Sequence, residues 1–267
     1  MSSPTKTKAE PVTSADIGAG TTTDDFLGGR ISMIQPRLGH RSGSDAIWLQ
    51  AAVPARADER VLDVGAGVGV AGLALLARTP KLEMTAIEID AGLCALATEN
   101  AARNGVADRY TVINADVTTP VETLQAQGLA RDGYDHVMAN PPFHAEGSVR
   151  ADPAKAHAHV MEAGALPAWI RFLTAATASK GRLTLIHRPE FLGELLTLLE
   201  RRFGALTVFP LFPKEVAPAT RIIVQGRKGS RAGTRLLPGL ILHRAGGIYT
   251  AEAEAVLREG AALDLAG

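Results

Sequence analysis

Residues 139–143 read ANPPF and follow the apolar run YDHVMA. Two successive prolines end a strand or helix, because neither can donate to a backbone ladder. The proline after Asn140 also drives that residue to an extended conformation. The product is a stiff loop at a strand end. On it Asn140, Pro141, Pro142 and Phe143 place one amide and one aromatic ring in fixed positions. An amide oxygen accepts hydrogen bonds, and a ring offers a stacking face.

A second chemical signal is VLDVGAGVGVAG, in which Gly65, Gly67 and Gly69 form a G-x-G-x-G turn between an apolar strand and a helix. Glycine lets the chain turn sharply and lets a ligand approach the main chain, and the positive helix end then faces an anion. A tight turn with no ligand would use the same residues. Glu88 in AIEID ends the next strand, 23 positions after Gly65. At that spacing a carboxylate can accept the hydroxyls of a ribose, although a solvated strand-end acid is the simpler reading. Taken with the glycine turn, Glu88 points to a nucleoside cofactor.

Gly72 falls off the G-x-G-x-x-G spacing of a dinucleotide site. The alternative is S-adenosylmethionine, with its methionine carboxylate at the helix start and its ribose at Glu88. Asp116 in INADV follows the third strand, where it can receive an adenine amino group or serve as an Asx turn or helix cap.

These residues need a scaffold that brings strand ends together. From Arg60 onward strands and helices alternate: RVLDV, VAGLALLAR, EMTAIEI, AGLCALATENAARNG, YTVINA, a helix near Val121–Gln127, YDHVMA, PAWIRFLTAATA, GRLTLIH and PEFLGELLTLLERRF. Two extended runs, ALTVFPLF and ATRIIVQG, close the series. The alternation implies an α/β fold, with a doubly wound, mostly parallel sheet covered by helices on both faces. Residues 1 to about 25 are polar and rich in Pro, Thr and Ser, and are expected to form a disordered tail. One domain, 26–267, would follow. Within it, 26–58 would cap the cofactor and 144–166 would be an insertion on the substrate side.

Composition excludes several classes. Lys+Arg and Asp+Glu are both 28, so no global charge draws the chain to nucleic acid or membrane, and a polyanion site must be a local patch. The single Cys94 precludes an intramolecular disulfide and a cysteine zinc site. The N-terminus lacks the apolar core of a signal peptide, and the uncharged run from Gly65 to Ala77 is too short to span a bilayer. A cytosolic location is expected.

DVGAGVG, IEID, NAD and NPPF occur here in the order and spacing of class I S-adenosylmethionine-dependent methyltransferases, and the chain resembles that family from about Gly39 to Leu257. Asn-Pro-Pro-Phe marks the members that methylate planar nitrogens. Within them the chain is most similar to bacterial adenine-N6 methyltransferases that modify valine tRNA beside its anticodon. The similarity includes RSGSDA, RIIV and YTAEAEAVL. The resemblance implies a seven-stranded sheet of order three-two-one-four-five-seven-six with a reversed last strand.

It further implies that the Asn140 side-chain oxygen and the Pro141 carbonyl accept the N–H groups of the reacting amine, and that Phe143 stacks on a flipped base. The cofactor-facing set becomes Arg41, Asp63, Gly65, Ala66, Gly67, Gly69, Glu88, Ile89, Asp116, Val117 and Asn140. Guanine-N2 methyltransferases of ribosomal RNA share NPPFH, including His144, and glutamine-amide methyltransferases share the motif, so those acceptors are the alternatives.

Three further sites stand apart. His157 and His159 invite a metal reading, but no pattern completes a ligand set, and a polar loop near the acceptor is the expectation. Arg41 touches cofactor, RNA phosphate or solvent. No acid lies between Val216 and Ala251, whereas GRKGSRAGTR carries Arg227, Lys228 and Arg231 as a basic loop able to track RNA phosphates. A reversed last strand would carry that loop away from the target base.

Overall fold

The computed structural model describes residues 20–38, 41–141 and 165–265. The chain opens with a hairpin of β1 (Thr21–Phe26) and β2 (Ile31–Pro36), paired antiparallel. Helix α1 (Ser44–Ala52) leads to the main sheet, which alternates β3 (Arg60–Val64), α2 (Val70–Arg78), β4 (Glu83–Glu88), α3 (Ala91–Arg103), β5 (Tyr110–Asn114), α4 (Val121–Ala126) and β6 (Tyr134–Ala139). Then come α5 (Ala165–Ala176), β7 (Thr177–His187), α6 (Leu192–Leu199), β8 (Phe203–Phe212) and β9 (Arg221–Lys228). Two short strands, β10 (Arg235–Leu236) and β11 (Leu240–Ile241), and helix α7 (Ala251–Glu259) finish the chain.

Across the sheet the seven main strands run β8-β9-β7-β6-β3-β4-β5, with β9 antiparallel to both its neighbours. Counted from β3, this is the expected order with its reversed last strand. β10 and β11 extend the edge by pairing parallel to β8.

Side chains on successive strand residues point to opposite faces, and here both faces are apolar, as a doubly covered parallel sheet requires. Val61, Ala86, Met138, Ile186 and Ile223 join the core beneath α1, α2 and α3, while Leu62, Ile87, Val137, Leu185 and Val224 join the core beneath α5 and α6. Each large aliphatic side chain removed from water contributes about 1.5–3 kcal/mol before entropy is counted. Among the described residues, no helix is long and apolar enough to cross a membrane.

Two boundaries differ from expectation. Residues 21–25, assigned to the tail, form most of β1, because Thr-rich backbone gains pairing along β2. Residues 1–19 of that tail lie outside the described residues. Arg227 and Lys228, read as loop, are the end of β9, paired with Arg182 and Phe203.

What holds the hairpin is a pair of helix asparagines that the sequence reading did not single out. Asn100 Oδ1 accepts from Ile34 N at 2.7 Å, and its Nδ2 donates to Ile34 O at 3.0 Å and Val68 O at 3.1 Å. Asn104 repeats the pattern on Ser32, at 3.0 and 2.9 Å. Residues four apart on a helix and two apart on a strand have nearly the same spacing, so the two amides stand in for a neighbouring strand. The Val68 contact ties the same hairpin to the glycine turn.

Candidate active site

The carboxyl ends of β6, β3 and β4 lie side by side in the sheet. After β3 the chain makes its turn on Gly65, Gly67 and Gly69, with φ of +70°, +58° and +90°. Other L-residues are strained in that region. The turn is also closely packed: a Cβ on Gly65 would lie 2.7 Å from Trp169 Cη2, and one on Gly69 2.6 Å from the Tyr110 hydroxyl. Gly65 N and Ala66 N both donate to Ile87 O, at 2.8 and 3.0 Å, which locks the turn against β4. Gly69 then caps α2 without a side-chain bond, so the helix start presents main-chain amides.

Glu88 ends β4 and is 6% exposed. Its Oε2 accepts from Gly67 N at 2.9 Å, and Oε1 accepts from Ile89 N at 2.8 Å and Asp90 N at 3.0 Å. A carboxylate has about four acceptor sites, so Oε2 keeps capacity for a hydroxyl donor. Beside it the Ile89 side chain is 42% exposed, an apolar ledge at a strand end, and Val117 is buried nearby in sequence after β5. Asn114 Nδ2 donates to Glu88 O at 3.0 Å and Ile89 O at 2.8 Å, fastening the two strand ends together. Asn114 stood within INADV but was not recognised; Trp169, which backs Gly65, carried no local signal.

Asp116 realises its Asx reading: Oδ1 accepts from Thr118 N at 2.8 Å and Thr118 Oγ1 at 2.7 Å. Any contact with an adenine amino group falls to the other oxygen. At the end of β6, Asn140 follows Ala139 as the strand stops, and Pro141 is buried. Asn140 Oδ1 is buried and has no hydrogen-bond partner among the described residues. A buried acceptor left in this state is costly unless a ligand supplies the donor. Pro142, Phe143, His144, His157 and His159 lie outside the described residues. Among those described, no group of three His, Cys, Asp or Glu residues could hold a metal ion.

Three residues of the expected set make intramolecular contacts. Asp63 is 2% exposed and accepts from Gly72 N at 3.1 Å, bracing α2 on β3 from within the core. Burial pushes its carboxyl up to about 7, with the Gly72 amide opposing and Glu88 adding to the rise. Arg41 donates to Thr22 Oγ1 at 2.7 Å, Pro36 O at 2.9 Å and Asp24 Oδ2 at 2.6 Å, so its guanidinium holds the hairpin. Lys228 Nζ reaches Asp132 Oδ1, Thr174 O and Thr177 O, each at 2.6 Å, and is committed to the fold. Arg227 and Arg231 are exposed at the opposite sheet edge from Asn140, as the reversal of β9 requires.

A groove of about 660 Å³ runs along β4 and β5 from Arg60 and Glu83 to Asn114, and it includes neither Glu88 nor Asn140. The glycine turn, the start of α2, the Glu88 carboxylate and the Ile89 ledge could instead hold the carboxylate, ribose and adenine of S-adenosylmethionine.

Comparison with known proteins agrees. The model of the methyltransferase small domain matches residues 42–208, more than half the chain. A tRNA1(Val) (adenine(37)-N6)-methyltransferase of Aeromonas hydrophila is 29% identical over 220 residues, covering 80% of this chain and 87% of the relative. The like-named protein of Musicola paradisiaca is 28% identical over 178 residues, 66% of this chain and 69% of its own. Among solved structures, a predicted O-methyltransferase from Agrobacterium tumefaciens is 31% identical, with a TM-score of 0.69, covering 82% of this chain and 98% of that one. The chain therefore belongs to the methyltransferase small domain family, and its cofactor is S-adenosylmethionine.

Proposed function

We propose that the protein methylates an exocyclic amine of a nucleobase, adenine N6 in tRNA. The observation that carries this reading is the Asn140 side-chain oxygen, buried at a rigid strand end with no partner among the described residues. An aromatic amine is a weak nucleophile because its lone pair is shared with the ring. Asn140 Oδ1 and the Pro141 carbonyl accept its two N–H groups, returning electron density to nitrogen and aiming the lone pair; this is catalysis by orientation and fixed dipoles. When bound, S-adenosylmethionine supplies a methyl group already activated on a sulfonium. Glu88 and the amides of the glycine turn hold the cofactor, and the amine's proton leaves to solvent or a neighbouring acceptor after transfer. Phe143 is assigned the base-stacking role and His144 a contact beside it.

The names of the Aeromonas and Musicola relatives support tRNA adenine as the acceptor. The name of the Agrobacterium structure points to oxygen. A fixed amide oxygen with an unmet acceptor suits an amine that needs acceptors better than a hydroxyl that must be deprotonated. The test is to incubate the purified protein with methyl-labelled cofactor and bulk bacterial tRNA, digest the RNA, and identify the labelled nucleoside by mass. N6-methyladenosine is the expected product. A labelled guanosine or ribose, or label on a release-factor glutamine but not on tRNA, would replace this reading.

A further inference from the structure

We propose that the outer face of α5 and α6 is a phosphate-binding track for the body of the RNA substrate, with Arg171, Arg201 and Arg202 as its contacts. The proposal rests on the RNA reading above and adds where that RNA lies. A groove of about 350 Å³ separates the two helices. Pro167, Ile170 and Leu198 line it with apolar surface, and Arg171, Arg201 and Arg202 stand exposed around it.

Several arginines elsewhere are neutralised by an acid. Arg41 is paired with Asp24, Arg221 with Asp45, Arg188 with Glu190 and Arg258 with Glu254. The three groove arginines form no ion pair among the described residues, although Glu200 directly precedes two of them. In a chain of zero net charge, this is a local excess of unneutralised guanidinium.

The patch continues beyond the groove. Gly229 N donates to Arg202 O at 3.0 Å, which fastens the end of α6 to the segment after β9. Arg227 at the end of β9 and Arg231 in that segment are both exposed. Arg227 Nε donates to Lys180 O at 3.3 Å, which brings a further exposed cation alongside. At its other end the track meets the catalytic region through α5 itself: Trp169, two residues before Arg171, packs on Gly65 of the cofactor turn.

RNA fits this surface better than a protein partner does. Guanidinium forks match phosphate oxygens bidentately, and contacts of this kind fix register while leaving sequence to be read elsewhere. An extended row of cations suits a repeating anion. The target base would be read at Asn140 and the strand held along α5 and α6.

The experiment compares the full-length protein with the Arg171→Ala/Arg201→Ala/Arg202→Ala variant, using bulk bacterial tRNA over a potassium chloride series, with cofactor affinity by calorimetry and thermal melting in parallel. The expected result is a salt slope lowered by roughly 2 to 3, from about 0.7–0.9 per lost phosphate contact, with melting and cofactor affinity unchanged. The Lys triple variant at the same positions should keep most of the slope, because point charge suffices for ion release. If wild-type protein binds tRNA and the alanine variant keeps the wild-type slope, the track is overturned and the substrate reading stands. If wild-type protein shows no salt-dependent tRNA binding but the arginines are needed to bind an acidic peptide such as polyglutamate, both the track and the substrate reading fall.

Discussion

The ends of β4 and β6 present the same chemical object, a side-chain oxygen at the carboxyl end of a parallel strand, and the fold treats them in opposite ways. Glu88 is cradled by three main-chain amides from two segments, with one acceptor site left. Asn140 Oδ1 is buried with no partner among the described residues. The first arrangement is finished before a ligand arrives and suits binding. The second leaves an unmet acceptor at a rigid point, which a reacting N–H satisfies, and suits catalysis. On the proposed reading, cofactor affinity and rate reside at separate strand ends and should be separable by mutation.

The largest expected effect is at Asn140. Asn140→Ala should lower kcat on tRNA by roughly 10²–10³-fold, the cost of losing one preorganised transition-state contact. Calorimetry should find cofactor affinity nearly unchanged; a parallel collapse of both would show that the two ends act as one site.

Glu88→Ala reverses the pattern. Losing a charged acceptor should weaken S-adenosylmethionine by roughly 1.5–3 kcal/mol, or 10- to 150-fold. Because Gly67, Ile89 and Asp90 lose their acceptor, the melting temperature should fall as well. Unchanged affinity in a folded variant would remove the ribose assignment.

Between these strands, the end of β3 offers a pH test. Asp63 is held up to about 7 from 3.8, chiefly by burial. A raised folded-state pKa means the native protein binds more protons than the unfolded chain between those values. The group's contribution to stability is therefore full below the lower value and is lost as pH rises through the upper one. Asp63→Asn is neutral throughout and should flatten that decline, by at most about 1.4 kcal/mol for each pH unit in the window. Denaturant midpoints for both proteins across the window measure it; parallel curves would mean the buried carboxyl does not titrate there.

The smallest effect should come from Arg41. Arg41→Ala removes half-exposed hairpin contacts and should cost about 1 kcal/mol of stability or less. Cofactor affinity should stay within twofold, and a tenfold loss would return Arg41 to the cofactor site.

Legibility followed the range of the interaction. Asn140, Glu88 and the glycine turn were readable because their meaning is local: two prolines stop β6, glycines take positive φ, and an acid closes a strand at a fixed spacing. The partners of Arg41 and Asp63 were not readable, because a side chain's partner is not local. Thr22, Asp24 and Pro36 capture the arginine, and Gly72 captures the acid. The arginine groove was invisible for the same reason, since Arg171 is thirty positions from Arg201 and only helix packing joins them.

What the amino-acid sequence determined by itself was the alternation of strands and helices, and hence the doubly wound sheet and the strand ends at which chemistry must occur. Periodicity and turn chemistry act over a few residues, and the chain carries them wherever it goes. Which polar groups would find partners was decided only by tertiary structure. Asn100 and Asn104 read as ordinary helix residues until β2 lay against them, and Lys228 read as an RNA contact until Asp132 and two carbonyls enclosed it. Hydrogen bonding is satisfied across space, so the same side chain is a ligand contact or a structural brace according to what the fold brings within about 3 Å of it.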